Sequence, residues 1–365
     1  MLFEILALLL GLVHFGVPLT YYTCMKKFTK RPWNIKIDPS YRPAVMVVIP
    51  TYNEAAIIED RLNNMSMQDY CKELTEVVVM DSSNDDTAQI AENWAKEAKD
   101  ARTKVIRQGR RDGKARALNF ALKSATEEIL VIADADASWP GNALTEAVRW
   151  LSDPTVGAVS CLKKPLSAGP GGMEEGYRRY YNTLRLGESK AFATPIFHGE
   201  LAAFRRDLLL RVGGFPENLG ADDSHTATKI ALLGYRAIIP ETLWCEEVVP
   251  RKSDYFSWRV RRAQHLILHF LESSRAKPKG NFAWIIAVET FLHLINPWIL
   301  LMSVLLVILA AAIFHSLVAY VLVTIGLVLL SVNQYRMWLA QQSNLLFAAL
   351  RNITNKEIVW KKQIK

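Results

Sequence analysis

The sequence predicts an α/β domain, a parallel sheet with helices on both faces, framed by membrane helices at either end. Short apolar runs alternate with helical patterns between residues 44 and 153. Uncharged stretches long enough to cross a bilayer stand near both ends of the 365-residue chain, half of which is hydrophobic. Acidic residues follow the apolar runs directly, as Glu54, Asp81, Asp134 and Asp136 do.

The first element, within residues 1–26, is the apolar run 2–25, "LFEILALLLGLVHFGVPLTYYTCM". It exceeds the roughly 20 residues that a bilayer core requires. No basic stretch precedes it and no small-residue cleavage site follows, which argues against a cleaved leader. Lys26, Lys27, Lys30 and Arg31 come next, so the positive-inside rule puts the following domain, residues 40–265, in the cytoplasm. There "AVMVVIP" (44–50), "LTEVVVMD" (74–81), "TKVIRQ" (103–108) and "EILVIAD" (128–134) read as strands. Residues 54–67, 85–99, 113–125 and the stretch from Trp139 read as helices between and after them. Such alternation makes a parallel sheet, with ligands bound beyond the carboxyl ends of its strands.

Residues 297–333 hold two further apolar runs, 297–314 and 317–333, with almost no loop between them. The lead-in, residues 266–296, ends in "FAWIIAVETFLHLIN" (282–296), roughly 22 Å long as a helix and short of a core about 30 Å thick. The tail, 334–365, carries Arg336, Arg351, Lys356, Lys361, Lys362 and Lys365 against one acid. A cytoplasmic tail requires an even number of crossings after the domain, so the lead-in is expected at the interface and 297–333 to cross twice. Trp338, Leu345, Leu346, Leu350, Ile353 and Trp360 recur in the tail at helical spacing. That suits a helix lying on the membrane or one packed on the domain. The expectation is a multi-pass protein of the plasma membrane with its catalytic domain in the cytoplasm.

The net charge of +8 flanks membrane segments, where anionic lipid is the natural partner. No helix-turn-helix, zinc-finger or aromatic-basic pattern accompanies it, so no nucleic acid is expected. The four cysteines lie far apart without metal-type spacing and read as reduced thiols.

The acids carry the chemistry. "ILVIADADASWP" (129–140) ends a buried strand in Asp134 and Asp136, and several carboxylates at one sheet edge repel unless a cation sits between them. Oxygen donors point to Mg²⁺ or Mn²⁺, bound through one or two carboxylates plus substrate phosphates. No Walker loop is present to hold phosphates otherwise. The alternative is that Asp136 caps the helix beginning near Pro140. In "GADD" (220–223) Asp222 and Asp223 start a helical pattern, where acids suit the dipole. Adjacent acids also raise each other's pKa, which makes Asp223 a better base.

"VVIPTYNEAAII", "VVVMDSSNDDT", "GKARALNFAL", "IADADAS" and "GADDSHTATKIALLGYR" occur in the order and spacing of family-2 inverting glycosyltransferases, and over residues 44–265 the chain resembles them. The flanking membrane segments are similar to the cellulose-synthase and hyaluronan-synthase branch in reduced form. The resemblance implies a Rossmann-like fold of GT-A type and a nucleotide-sugar donor. It places Pro50, Tyr52 and Glu54 at the nucleotide pocket, Asp81 at the base and Lys114 near the phosphates. Asp134 and Asp136 match the Asp-x-Asp pair, with Asp136 on the metal. Asp223 matches the general base and Asp222 its neighbour, while His198, Gly199 and Glu200 match the acceptor side. The branch's Gln-x-x-Arg-Trp is "WRVRR" (258–262) here. Arg261 falls on the diphosphate-binding Arg, Trp258 replaces Gln on the acceptor side, and Arg262 replaces the Trp that stacks on a growing polymer.

That departure and the small membrane part imply a single transfer, and the chain's likeness to small membrane mannosyltransferases of lipid-linked glycan assembly implies mannose from GDP-mannose before a UDP-sugar. A base is needed for a hydroxyl but not for an ionised phosphate, so a lipid-linked saccharide or glycolipid is the expected acceptor. A processive synthase, a polyprenyl-phosphate sugar transferase, a haloacid-dehalogenase-type phosphatase and a non-catalytic sugar-nucleotide-binding module stand as alternatives.

Overall fold

Strand β1 (Val45–Thr51) lies inside the sheet, and its alternate residues enter different cores. Val45, Val47 and Ile49 pack with helices α2 (Ile58–Ser66), α3 (Thr87–Glu97) and α5 (Ala143–Trp150). Met46 and Val48 pack on the other face with α4 (Lys114–Ser124). A strand covered on both faces reads as a continuous apolar run, which is why "VMVVI" shows no polar alternation. The computed structural model describes residues 2–99, 102–167, 169 and 172–354. Lys356, Trp360, Lys361, Lys362 and Lys365 of the tail lie outside the described residues.

β1 pairs in parallel with β2 (Thr75–Asp81) and β4 (Ile129–Ile132), and β2 pairs with β3 (Thr103–Arg107). Thr51 stands beside Asp81 and Val48 beside Ile132, so these strands end at one edge. Beyond β4 the sheet departs from the parallel arrangement expected. The order is β3-β2-β1-β4-β8-β6-β9, with β8 (Ala202–Arg205) antiparallel between β4 and β6 (Val156–Ser160). β9 (Arg236–Ile238) closes the edge parallel to β6. An antiparallel strand starts where its neighbours end, so β8 brings His198–Glu200 to the edge that holds Asp134. A second sheet, β5 (Ala137–Ser138), β10 (Trp244–Glu247) and β7 (Leu162–Pro165), stands directly after the paired aspartates.

Helix α6 (Met173–Ala191) is an element the apolar periodicity did not predict, because its stripe is largely tyrosine, arginine and glutamate. α7 (Arg206–Arg211), α8 (Asp222–Leu232) and α9 (Lys252–Ser273) complete the domain.

Among the described residues two helices are long and apolar enough to cross a membrane: α1 (Leu2–Phe28) and a 35-residue helix, Gly280–Phe314. The latter comprises α10 (Gly280–Thr290), a π turn (Phe291–Ile295) and α11 (Asn296–Phe314). The lead-in expected over 266–296 is therefore not a separate unit. Its first part is the end of α9 and its last part runs unbroken into α11. Pro297 lacks the N–H that an α turn would use, and the wider turn ahead of it accommodates that loss. α10 is apolar because Phe282 and Ile286 enter the domain core.

The run 317–333 yields a helix, α12 (Leu317–Leu329), of only 13 residues. It meets α13 (Asn333–Thr354) at 103°, a broken span or a re-entrant loop. Leu345 and Ala348 of α13 pack on Val260, Ala263 and Ile267 of α9, while Phe347, Leu350 and Ile353 are exposed. Of the two arrangements open for the tail, its described part takes packing on the domain.

Candidate active site

The strand ends, the 198–200 loop and the starts of α4 and α8 surround a cavity of about 290 Å³. At the β1 end Pro50, Tyr52 and Glu54 line it, and the Arg111 guanidinium lies 3.5 Å over the Tyr52 ring. Asn53 turns the chain there with φ of 58°, a conformation asparagine tolerates better than most residues. Its N–H donates to Ser83 Oγ at 2.7 Å. Asp81 is set apart from this wall. Its buried carboxylate accepts from Thr51 Oγ1 at 2.7 Å and from Ser83 Oγ at 2.5 Å, and its neighbour Ser82 is the one lining the cavity.

Lys114 opens α4 behind Gly113, whose φ of 95° suits only glycine. Its ammonium is 2.6 Å from Asp134 Oδ1. Burial alone would lower its pKa, but Asp134, with Asp222 and Asp223 beyond, outweighs burial and holds it above the ordinary lysine value. The Asp134 N–H donates to Gly199 O at 3.1 Å. A Cβ on residue 199 would collide with Lys114 Nζ and lie 3.0 Å from Asp134 Oδ2, so a side chain there would displace the ammonium from its place beside Asp134.

Asp136 also lines the cavity. It does not cap the next helix, which begins at Ala143 behind Asn142. The segment after it is braced. The Trp139 N–H donates to Asn64 Oδ1 (3.0 Å), Asn64 Nδ2 donates back to Trp139 O (2.8 Å), and Arg61 lies 4.4 Å over the indole. Trp139 Nε1 donates to Glu200 O at 2.8 Å. With the bond from Asp134 to Gly199, the loop carrying both aspartates is pinned to 198–200 at two points. Nothing in the sequence pointed to Arg61, Asn64 or Trp139, because the brace joins residues 75 positions apart along the chain.

His198 is buried and lies 2.8 Å from Cys161 O, which fixes a proton on Nδ1. Burial first, then Lys163 and Arg178, keeps its pKa well below the ordinary value, so it is neutral. Asp222 and Asp223 begin α8 as expected. Ser224 N–H donates to Asp223 Oδ1 at 2.6 Å, and Ser224 Oγ holds the 197 backbone, tying the helix start to the loop. Burial, then Asp222, pushes the Asp223 carboxyl up to about 7. Burial also raises Asp222, against the pull of Lys114. The repulsion expected between the two is thus the second cause and burial the first.

On α9, Arg261 lines the cavity. Trp258 borders it too, but is 1% exposed, with Arg262 lying 4.1 Å over its ring. It packs the wall and offers no open face to a sugar, unlike the acceptor-side role expected. Arg262 reaches Glu247 at 2.5 Å and Glu200 at 3.3 Å. Lys163 bridges the same carboxylates at 3.1 and 2.5 Å, and Arg178 joins Glu247 (2.5 Å) to Glu174 (2.8 Å). Arg259 closes on Glu174. Buried charges survive only when paired in this way. None of this network was legible in the sequence, since its members come from the unpredicted α6 and from β7, β10, α9 and the 200 loop. Tyr177 and Tyr181 of α6 line the cavity beside it.

Among the described residues no cluster of three or more His, Cys, Asp or Glu could hold a metal by itself. The oxygen donors present, with Asp136 at the wall and Asp134 at Lys114, fit a hard divalent ion whose remaining ligands are substrate phosphates and water.

Residues 46–213 match the family described as Glycosyl transferase family 2. The structure of a mannosyltransferase from Pyrobaculum calidifontis, in complex with GDP-Man and Mn²⁺, superposes with a TM-score of 0.90. The two are 49% identical over 97% of this chain and all of that one. The UDP-forming cellulose synthase catalytic subunit of Pseudomonas fluorescens is 28% identical over 56% of this chain. The poly-beta-1,6-N-acetyl-D-glucosamine synthase of Staphylococcus aureus is 26% identical over 71%. The matched regions span 28% and 63% of those two proteins' lengths. The strand-end acids, their order along the chain and near-half identity to a solved mannosyltransferase over its whole length lead to one conclusion: this chain belongs to glycosyl transferase family 2 and is a glycosyltransferase of GT-A fold.

Proposed function

We propose that the protein transfers a single sugar, mannose from GDP-mannose by preference, to a hydroxyl of a membrane-borne lipid-linked saccharide or glycolipid, with inversion at the anomeric carbon. The observation that carries this is a carboxyl pushed up to about 7, Asp223, in a cavity whose other wall holds Asp136 and the Lys114–Asp134 pair. A base that titrates near neutrality suits a hydroxyl acceptor. Tyr52 and Glu54 bound the nucleotide, and Asp81 holds their turn from behind. Lys114 and Arg261 supply positive charge to the diphosphate. Asp136 would hold a divalent ion, Mg²⁺ or Mn²⁺, which would supply charge neutralisation for the leaving nucleoside diphosphate. Asp223 takes the acceptor's proton, and Asp222 keeps that carboxylate basic. His198, Gly199 and Glu200 shape the acceptor side.

The preference for GDP-mannose draws on the full-length similarity to the Pyrobaculum mannosyltransferase and its bound GDP-Man. A membrane-borne acceptor suits a domain whose helix α6 packs on α1, itself paired with the 280–314 helix, with the N-terminus outside and residues 40–265 on the cytoplasmic side of a plasma membrane. Processive synthesis fits less well, because Arg262 and the covered Trp258 offer no stacking platform for a polymer end. The test is a panel of nucleotide sugars offered to the full chain with membrane lipid extract, in Mg²⁺ and in Mn²⁺. Labelled mannose appearing on a lipid fraction supports the reading. Polymer products, transfer to polyprenyl phosphate alone, or turnover of UDP-sugars only would each overturn its corresponding part.

A further inference from the structure

Helix α6 works on two adjacent stripes. Tyr177, Arg178, Tyr181 and Arg185 line the cleft. The stripe beside them, Tyr180, Leu184, Gly187 and Glu188, is occupied by α1. Tyr180 stacks on Tyr22 with centroids 5.0 Å apart and planes 9° apart. Leu184 is buried in one cluster with Tyr21 and Met25. Tyr21 Oη donates to Glu188 Oε1 at 2.6 Å. At Gly187 the backbones themselves meet, for a Cβ there would lie 2.5 Å from Met25 O. Lys190 Nζ closes the seam on Thr29 O at 2.9 Å.

A charge joins the two stripes. Arg185, a cleft residue, is 3.2 Å from Glu188 and 2.5 Å from Glu289 of the 280–314 helix, and all of these are buried. A helix that only anchored a domain would need apolar side chains toward lipid and a tether toward the protein. It would not need a glycine crossing and a buried tyrosine hydroxyl bond to one cleft helix.

We propose that α1 holds α6 in register and so builds the acceptor half of the cleft, with Tyr21 and Gly187 as positioning residues. This rests on the function proposed above, in which His198–Glu200 shape the acceptor side, and α6 reaches that side through Arg178, Glu247, Lys163 and Glu200. The donor residues Tyr52, Lys114 and Asp136 stand just after β1, at the start of α4 and in the β4–β5 turn, on the same cavity but on elements outside this seam. Disturbing the seam therefore weakens acceptor use while sparing the donor.

The test uses the full chain in lipid nanodiscs, as Gly187→Ala, which forces the helices apart, and Tyr21→Phe, which removes only the hydroxyl bond. GDP-mannose binding with Mn²⁺ and its slow hydrolysis by water read the donor end. Transfer to a membrane lipid extract reads the acceptor end. The expected result is an acceptor KM raised about tenfold in both variants, with donor affinity and hydrolysis within about twofold of the wild type. Parallel loss of hydrolysis and transfer overturns the proposal, as does a wild-type acceptor KM in Tyr21→Phe together with Gly187→Ala. A wild-type chain that turns over no nucleotide sugar at all overturns the proposed function, and this inference with it.

Discussion

The ammonium of Lys114 lies 2.6 Å from Asp134 Oδ1, in a space that exists only because residue 199 has no side chain. Lys114 comes from the start of α4, Asp134 from the end of β4, and Gly199 from the loop entering β8. The contact thus locks α4, β4 and the loop entering β8 together. It also engages the first aspartate of the pair with a lysine, consistent with Asp136 as the metal carboxylate.

Gly199→Ala should break this lock. The methyl group would push Lys114 from Asp134, and transfer should fall about ten- to a hundredfold, as for a misplaced reacting group. Unfolding by heat should shift only by a few degrees, since the change sits at the sheet edge and not in the core. Wild-type turnover in this variant would show that the Lys114–Asp134 contact has no part in the reaction.

Asp136→Ala should abolish transfer and weaken nucleotide-sugar binding in Mn²⁺ by at least about tenfold, because the leaving diphosphate loses its counter-ion. Calorimetry in Mn²⁺ and again in EDTA checks this. Binding by the wild-type chain that EDTA leaves unchanged would place the metal elsewhere.

Asp223→Asn should lower turnover by 10²–10⁴-fold, roughly 3–5 kcal/mol in the barrier, with donor affinity nearly unchanged. In the wild-type chain the base form appears only as pH rises through about 7, so kcat/KM should climb across that range. Asp222→Asn removes the second cause of the raised pKa and should move this limb to lower pH. Stability runs the other way. An unfolded aspartate ionises near 4, while the folded one resists until about 7, so folding loses stability as pH rises between the two. Asp223→Asn should therefore melt higher than the wild type at pH 8. A lower melting temperature, or a pH profile flat from 5 to 8, would contradict the buried-base assignment.

Trp139→Phe keeps the ring over Arg61 and deletes the bond to Glu200 O. The orphaned carbonyl should cost about 1–3 kcal/mol of stability. The 198–200 loop should then loosen against the metal loop, lowering kcat with little change in donor KM. Equal loss in Trp139→Phe and Trp139→Leu would point to packing and not to the hydrogen bond.

Single cysteines placed at His315 or at the N-terminus should react with an impermeant reagent from outside, and one at Phe347 should not. The short α12 makes this the sharpest test of how the chain returns. Labelling of position 347 from outside would require an odd number of crossings after the domain.

Local physics determined much of this protein. Buried strands announce themselves as unbroken apolar runs, and acids at their ends cannot belong to the core, so β1, β2, β4 and the carboxylates behind them were legible. So was the start of α8 at Asp222, where the helix dipole and the sequence agree. What the sequence could not decide was everything that depends on partners distant along the chain. The antiparallel course of β8 is set by the return of the chain through α6, and α6 hides because its buried stripe is charged. Trp258 falls on the acceptor side by its place in the sequence, yet Arg262 lies over its ring. The apolar pattern of 282–290 belongs to a domain core as much as to a bilayer, since Phe282 and Ile286 pack against sheet helices. Hydrophobicity alone does not distinguish protein from lipid as the medium a side chain enters. Only the packed structure assigns that, and only it sets Lys163, Arg178 and Arg262 around shared carboxylates.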